Sequence, residues 1–258
     1  MNRAQIIVLS VGVLLFSLFY FVAGTKLHKQ AKIEQARTIN APSADADEII
    51  DKAKTTIKPA QTTELTALES VLQAAQSDTA KTSALKKVSG AWYRFGKLDV
   101  SGYYAEKVAV LENTERAWFF AGSTYLTGIK QNQDDAIRQF CADRGAKAFE
   151  NAISINPENV TNRVALASIY TEKPLADNPM KGILMLRELD QQHPDNPLVL
   201  VTLAKNAIRT GQYDKAVTRL ENALKVAPDD NGINCLLATA YEGVGDAAKS
   251  KLFAKKCK

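Results

Sequence analysis

Residues able to carry chemistry are few in this 258-residue chain, and their spacing is uninformative. Cysteine stands only at Cys141, Cys235 and Cys257, with no CxxC and no Cys/His spacing of a zinc site. All three are expected to act as small buried hydrophobes. His28 and His193 are the only imidazoles, thin material for acid–base or nucleophilic catalysis. Two acidic pairs, Asp134-Asp135 and Asp229-Asp230, precede helical patterns. An anion there suits the helix dipole, and capping is preferred over metal binding. The chain has no phosphate loop, no GxGxxG, no HExxH and no nucleophile elbow. The expectation is a protein that is not an enzyme and takes neither cofactor nor metal.

The elements that would position a binding surface are therefore the main information. Hydrophobic residues make up 46% and charged residues 24%, a balance that can bury a core. Only 13 Gly and 8 Pro disfavour a turn-rich all-β fold. The net charge of +5 does not mark a nucleic-acid binder: Arg3, Lys26, Lys29, Lys32 and Arg37 face Glu34 alone within residues 1–37. The rest is nearly balanced and shows no clustered basic face.

Those cations flank residues 4–25, an uncharged and largely apolar run of 22 residues. As a helix it would span roughly 33 Å against a hydrocarbon core of about 30 Å, with Tyr20 toward one interface. A transmembrane anchor over 1–25 is the expectation. Val22-Ala23-Gly24 resembles a signal-peptide cleavage site, but the apolar stretch exceeds the usual signal core of about 7–15 residues. No cysteine directly follows it to take a lipid. Lys26, Lys29 and Lys32 outnumber Arg3, which favours a cytoplasmic soluble part. A very short N-terminal tail also suits anchors that export their C-terminus, so a periplasmic or exported domain is the alternative.

Residues 38–46 are small and polar with one Pro, and read as a joint. Ser43 or Asp45 would cap a helix through Ile49, Ile50 and Ala53 to about Ile57, ended by Lys58-Pro59. A second helix from Thr62 or Thr63 would place Leu65, Leu68, Val71, Leu72 and Ala75 on one face. These two helices would cover the first apolar face of the remaining chain.

That remainder is repetitive. In residues 197–230, Leu203, Ala204, Gly211, Tyr213, Ala216, Leu220, Ala223 and Pro228 fall at fixed offsets. In the next copy Leu237, Ala238, Tyr241 and Gly245 take the corresponding places; in the preceding one Leu166, Ala167, Tyr170, Gly182, Leu186 and Pro194 do so around a longer turn. Trp118, Gly122, Tyr125, Phe149, Ala152 and Pro157 form an earlier copy with a second helix lengthened through Ala136, Ile137, Phe140 and Cys141. Trp92, Gly96, Tyr103 and Tyr104 mark a weaker one. This pattern resembles the 34-residue tetratricopeptide repeat, over residues 82–258. The clearest repeats are 160–194, 197–230 and 231–258, the divergent ones 82–113 and 114–159. The resemblance implies an all-α fold, a solenoid of helix-turn-helix repeats over 62–258, joined to the anchor by a juxtamembrane linker and helix over 26–61.

The physics of these positions is direct. Ala204, Ala216 and Ala223 let helices approach, Leu203 and Leu220 fill the space between layers, and Gly211 accepts a left-handed helix end. No hairpin of this kind buries its apolar face alone, so stability comes from stacking.

In this family the first helices of each repeat line a groove that holds peptides. Carried over by register, Arg116, Phe119, Ser123, Val164, Ser168, Val201, Lys205, Ile208, Arg209, Cys235 and Thr239 are the groove candidates. Apolar groups beside Lys205 and Arg209 suit an amphipathic or acidic-tailed peptide. The alternative is a solvated inner face, with Val201 and Ile208 packing on neighbours. Val201 and Lys205 stand where some members carry a carboxylate clamp of Lys and Asn, so recognition of chaperone tails is not expected. The same register sets Cys235 on the groove side and Cys257 toward the intrahairpin packing. Separate thiols are expected, with pairing left to free-thiol titration. The resemblance implies a membrane-anchored scaffold or adaptor for a protein or peptide partner, with no nucleic acid. The alternative is a chaperone-like or assembly-factor accessory subunit, and self-association through the open ends of the stack is a third reading.

Overall fold

The computed structural model describes residues 44–257. The chain divides into two compact units, Met1–Glu48 and Ile49–Lys258. Of the first, residues 44–48 are described, and they are helical. The anchor expected at 4–25 lies outside the described residues, as does most of the joint at 38–46. Residues 44–46, read as joint, begin a helix instead: Ala and Asp are good company for a first turn. Among the described residues no helix is long and apolar enough to cross a membrane.

Twelve helices and no strand make up the described residues. They are α1 (Ala44–Thr55), α2 (Pro59–Ala74), α3 (Asp78–Arg94), α4 (Leu98–Glu112), α5 (Glu115–Gln131), α6 (Asp135–Ile155), α7 (Val160–Glu172), α8 (Lys181–Gln192), α9 (Pro197–Arg209), α10 (Tyr213–Val226), α11 (Asn231–Val244) and α12 (Ala247–Lys256). From α2 onward each helix packs on the next, and α5, α7, α9 and α11 also touch in succession. The second unit is thus an all-helical, tetratricopeptide-like solenoid. Its apolar interior is a series of clusters rather than one centre. Tyr125, Ile129 and Phe149 lead one, Val164, Leu186 and Leu203 the next, and Leu220, Ile233 and Leu237 the last.

The sequence signals act as local physics requires. Polar residues cap the first helices: Thr114 accepts from the Ala117 amide, Asn159 from Thr161, Asn196 from Leu198 and Val199, Asp230 from Ile233. Asp134 takes the Ala136 and Ile137 amides at the start of α6. Pro59 sits in the first turn of α2, where its missing N–H costs nothing, so that helix starts earlier than Thr62. Only Leu65 of its expected apolar face is fully buried, and Val71 stays exposed. Gly96, Gly211 and Gly245 end α3, α9 and α11 with φ of 75°, 72° and 90°.

Candidate functional site

Three consecutive helices enclose a cleft of about 800 Å³ in the first part of the solenoid. On α3, Lys86, Gly90 and Tyr93 recur at helical spacing and share one face. Ala105, Val108 and Glu112 do the same on α4 and form the floor, while Arg116, Phe119 and Phe120 close the α5 side. The floor is fixed by a reciprocal pair. Ser89 Oγ donates to the Ser101 carbonyl and Ser101 Oγ to the Ser89 carbonyl, each at 2.9 Å, with both residues buried. Two short side chains thereby hold α3 and α4 in close contact and spend their hydroxyls on it.

The rim is aromatic and cationic. Phe120 is 57% exposed and Tyr93 52%, costly exposures for large rings. Phe119 leans inward, its ring centroid 5.7 Å from that of Phe149. Lys86 is paired with Glu112 at 2.5 Å, and Arg116 is exposed. Such an arrangement can bind an apolar or aromatic group flanked by a carboxylate. It holds no nucleophile paired with a base, and among the described residues no cluster of His, Cys, Asp or Glu could hold a metal ion.

Behind the cleft lies a polar support. Glu106, on α4, is almost fully buried and accepts from Tyr125 Oη at 2.8 Å and from Arg144 Nη1 at 2.7 Å. Burial first, and the Glu106 charge second, push the Tyr125 phenol well up from its ordinary range. Burial likewise raises the Asp99 carboxyl at the start of α4 and the thiol of the fully buried Cys141. At the start of α5, Glu115 receives amide hydrogen bonds from Asn156, Asn162 and Asn159, which hold its carboxyl below the usual range.

The groove positions expected from the sequence differ in their surroundings. Arg116 and Phe119 line the cleft. Val164 is 3% exposed and packs with Ala167, Leu186 and Leu203; it belongs to the interior because α8 and α9 both cover that side of α7. Val201 and Ile208 lean on the last apolar cluster. Ser123 is half-buried, and Ser168 and Thr239 turn their hydroxyls onto their own helices. Lys205 is exposed. Arg209 is engaged elsewhere: Nη2 donates to the Thr171 carbonyl at 2.9 Å and to Asn206 Oδ1 at 2.7 Å. Cys235 is joined to Cys257 by a disulfide, with Cα atoms 4.7 Å apart. The expectation of separate thiols there is corrected, because the closing hairpin brings the two backbones within bonding reach whatever face each residue nominally occupies. Tyr93 and Phe120 are not among the expected positions. Their only sequence signal is a place beside Trp92 and Phe119, one residue off the apolar stripe in two first helices.

Comparison with known proteins agrees with this architecture. A tetratricopeptide-repeat family model matches residues 180–242. No curated protein matches the chain. Among solved structures, a tetratricopeptide-repeat protein from Parabacteroides merdae shares 13% identity over 83% of this chain and 79% of its own, at a TM-score of 0.52. A thermophilic tetratricopeptide-repeat protein from Thermus thermophilus shares 18% identity over 69% of this chain and 89% of its own, at 0.51. A structure of MamA from MSR-1 shares 18% identity over 69% and 94%, at 0.40. The first two likenesses show the fold.

Proposed function

We propose that this chain is a membrane-anchored scaffold or adaptor, not an enzyme, which holds a protein partner through its repeat solenoid. The partner offers a segment with an apolar or aromatic anchor next to a carboxylate. The observation that carries the reading is the α3–α5 cleft, where Tyr93 and Phe120 stand more than half exposed over an apolar floor beside Arg116. Large exposed rings around a concave apolar surface favour a partner that covers them. The uncharged residues 4–25 support attachment to a bilayer. The serine hydroxyls at the cleft floor are already spent on each other, which supports binding without catalysis.

The test is affinity capture of the full chain from mild detergent, comparing wild type with the double variant Tyr93→Ala/Phe120→Ala and with Arg116→Glu. One partner recovered reproducibly by wild type, and lost by both variants, supports the reading. Weak capture of many unfolded clients, with their aggregation suppressed, replaces it with the chaperone-like accessory role. A concentration-dependent oligomer of the chain alone, abolished by the same variants, replaces it with self-association.

A further inference from the structure

We propose that the Cys235–Cys257 disulfide is a maturation site that substitutes for missing helix packing, and that the repeat domain therefore resides in an oxidising, extracytoplasmic compartment.

The argument starts from the repeat register. In α10 the helix is anchored by Ala216, Leu220 and Ala223, each 0% exposed. One 34-residue period later the same positions read Ser250, Ala254 and Cys257. The bulky anchor has become alanine and the first small one a serine, and α12 accordingly has no fully buried residue. Every other second helix from α4 onward has several. The equivalent of Val201, which leans on the cluster containing Ala223, is Cys235. Two residues that stand at adjoining packing positions in one repeat are thus both cysteine in the next. Their Cα separation of 4.7 Å lies within the range a disulfide bridges.

Without the bond α12 has little to hold it. Phe253 stacks on the Tyr241 ring with centroids 5.6 Å apart and planes at 4°, and Lys249 Nζ reaches Tyr241 Oη at 3.3 Å. In a cytosolic thiol pool the two cysteines would stay reduced, leaving the helix on Phe253, packed against the last apolar cluster and the Tyr241 ring, and on the Lys249 hydrogen bond. The lysines at 26, 29 and 32 argue for the opposite topology, but flanking charge governs short loops far better than long domains, which translocate largely regardless of it.

Bond formation follows ordinary exchange. One cysteine thiolate attacks the disulfide of an exported-protein oxidant, forming a mixed disulfide and releasing one oxidant thiolate. The second cysteine thiolate attacks that mixed disulfide, forming Cys235–Cys257 and releasing the other. The chain loses two electrons and two protons, and the oxidant disulfide becomes a dithiol. Cys141 stays out of the exchange because it is fully buried and its thiol is kept protonated.

The experiment uses the full chain in its membrane, quenched with trichloroacetic acid on harvest so that exchange stops and no thiol is consumed, then denatured without reductant and titrated for thiols. One reactive thiol is expected before dithiothreitol and three after it; three at the outset overturn the proposal. Amide hydrogen exchange of the native chain in detergent is then compared before and after dithiothreitol, and with Cys235→Ser/Cys257→Ser. Exchange through α12 should quicken by about tenfold or more while α9 and α10 keep theirs; an unchanged α12 overturns the clamp. Protease added outside intact spheroplasts should cleave the repeat domain, and protection until the membrane is opened overturns the compartment.

Discussion

Tyr125 Oη donates to Glu106 Oε2 at 2.8 Å inside the solenoid, and Arg144 Nη1 reaches the same oxygen at 2.7 Å. One carboxylate thereby ties α4, α5 and α6 together behind the cleft. The guanidinium also lies 5.2 Å from the ring centroids of both Tyr103 and Phe140, so it is held by packing as well as charge. Removing it strands a buried carboxylate, which is worse than never having had the pair. Arg144→Met should lower stability by about 3 kcal/mol. Adding Glu106→Gln should recover a good part of that loss. Urea unfolding of the full chain in detergent, followed by far-ultraviolet circular dichroism, reads both; equal midpoints for wild type and Arg144→Met would show that the pair contributes nothing.

Glu115 makes a pH prediction whose sign follows from its amide partners. The hydrogen bonds from Asn156, Asn162 and Asn159 favour the ionised carboxylate and lower its pKa in the folded chain. Its contribution is therefore complete above the unfolded glutamate value, about 4.3, and fades as pH falls through the lower folded value. Between about pH 6 and pH 3 the urea midpoint of wild type should fall further than that of Glu115→Gln. Parallel curves would show that the three amides do not hold the charge.

Those amides also show the limit of what the sequence makes legible. The glycines at 96, 211 and 245 and the alanines at 204, 216 and 223 are legible because their sizes are dictated at a fixed offset within each hairpin. Left-handed turns and close crossings admit few side chains. The lengthened α6 is legible from Ile137, Phe140 and Cys141 continuing the helical stripe. The cleft is not, because the exposure of Tyr93 and Phe120 depends on how far α3 and α5 part above α4, which no local pattern encodes. Val164 misleads for a related reason. Its register is that of a groove residue, but two neighbouring helices cover it, and only tertiary packing says so. The same holds for Cys235, whose nominal face says nothing about a backbone approach of 4.7 Å.

Two glycines should fail on substitution for different reasons. A Cβ on Gly182 would lie 2.6 Å from the Ala167 carbonyl oxygen and 2.8 Å from the Thr171 amide nitrogen. Both are backbone of α7 and cannot swing aside. Gly182→Ala should force α7 and α8 apart and cost roughly 2 kcal/mol or more. Gly96 meets nothing within 4 Å, but its φ is +75°. Gly96→Ala should cost about 1 kcal/mol, and Gly96→Asn less, because asparagine tolerates that region. Urea midpoints separate the cases: an asparagine variant as unstable as the alanine one would mean that the turn is not limited by backbone conformation.

Lys205 and Arg209 share a groove register on α9, yet the structure separates their fates. Arg209 bonds the Thr171 carbonyl and Asn206, and lies 3.5 Å from a Glu172 carboxylate oxygen. Its guanidinium thus closes the end of α7 against α9, where the carbonyls of the last helical turn lack intrahelical partners. Lys205 stands exposed on the same helix. Reversing the two charges should therefore give unlike results. Arg209→Glu should destabilise, by about 2 kcal/mol, since it removes charge-assisted bonds and sets a carboxylate against a carbonyl and Glu172. Lys205→Glu should leave the urea midpoint nearly unchanged. Partner capture is the second readout. If Lys205→Glu keeps the wild-type partner while Arg116→Glu loses it, recognition runs through the α3–α5 cleft; if Lys205→Glu alone abolishes capture at unchanged stability, the binding surface is instead on α9 and the cleft assignment falls.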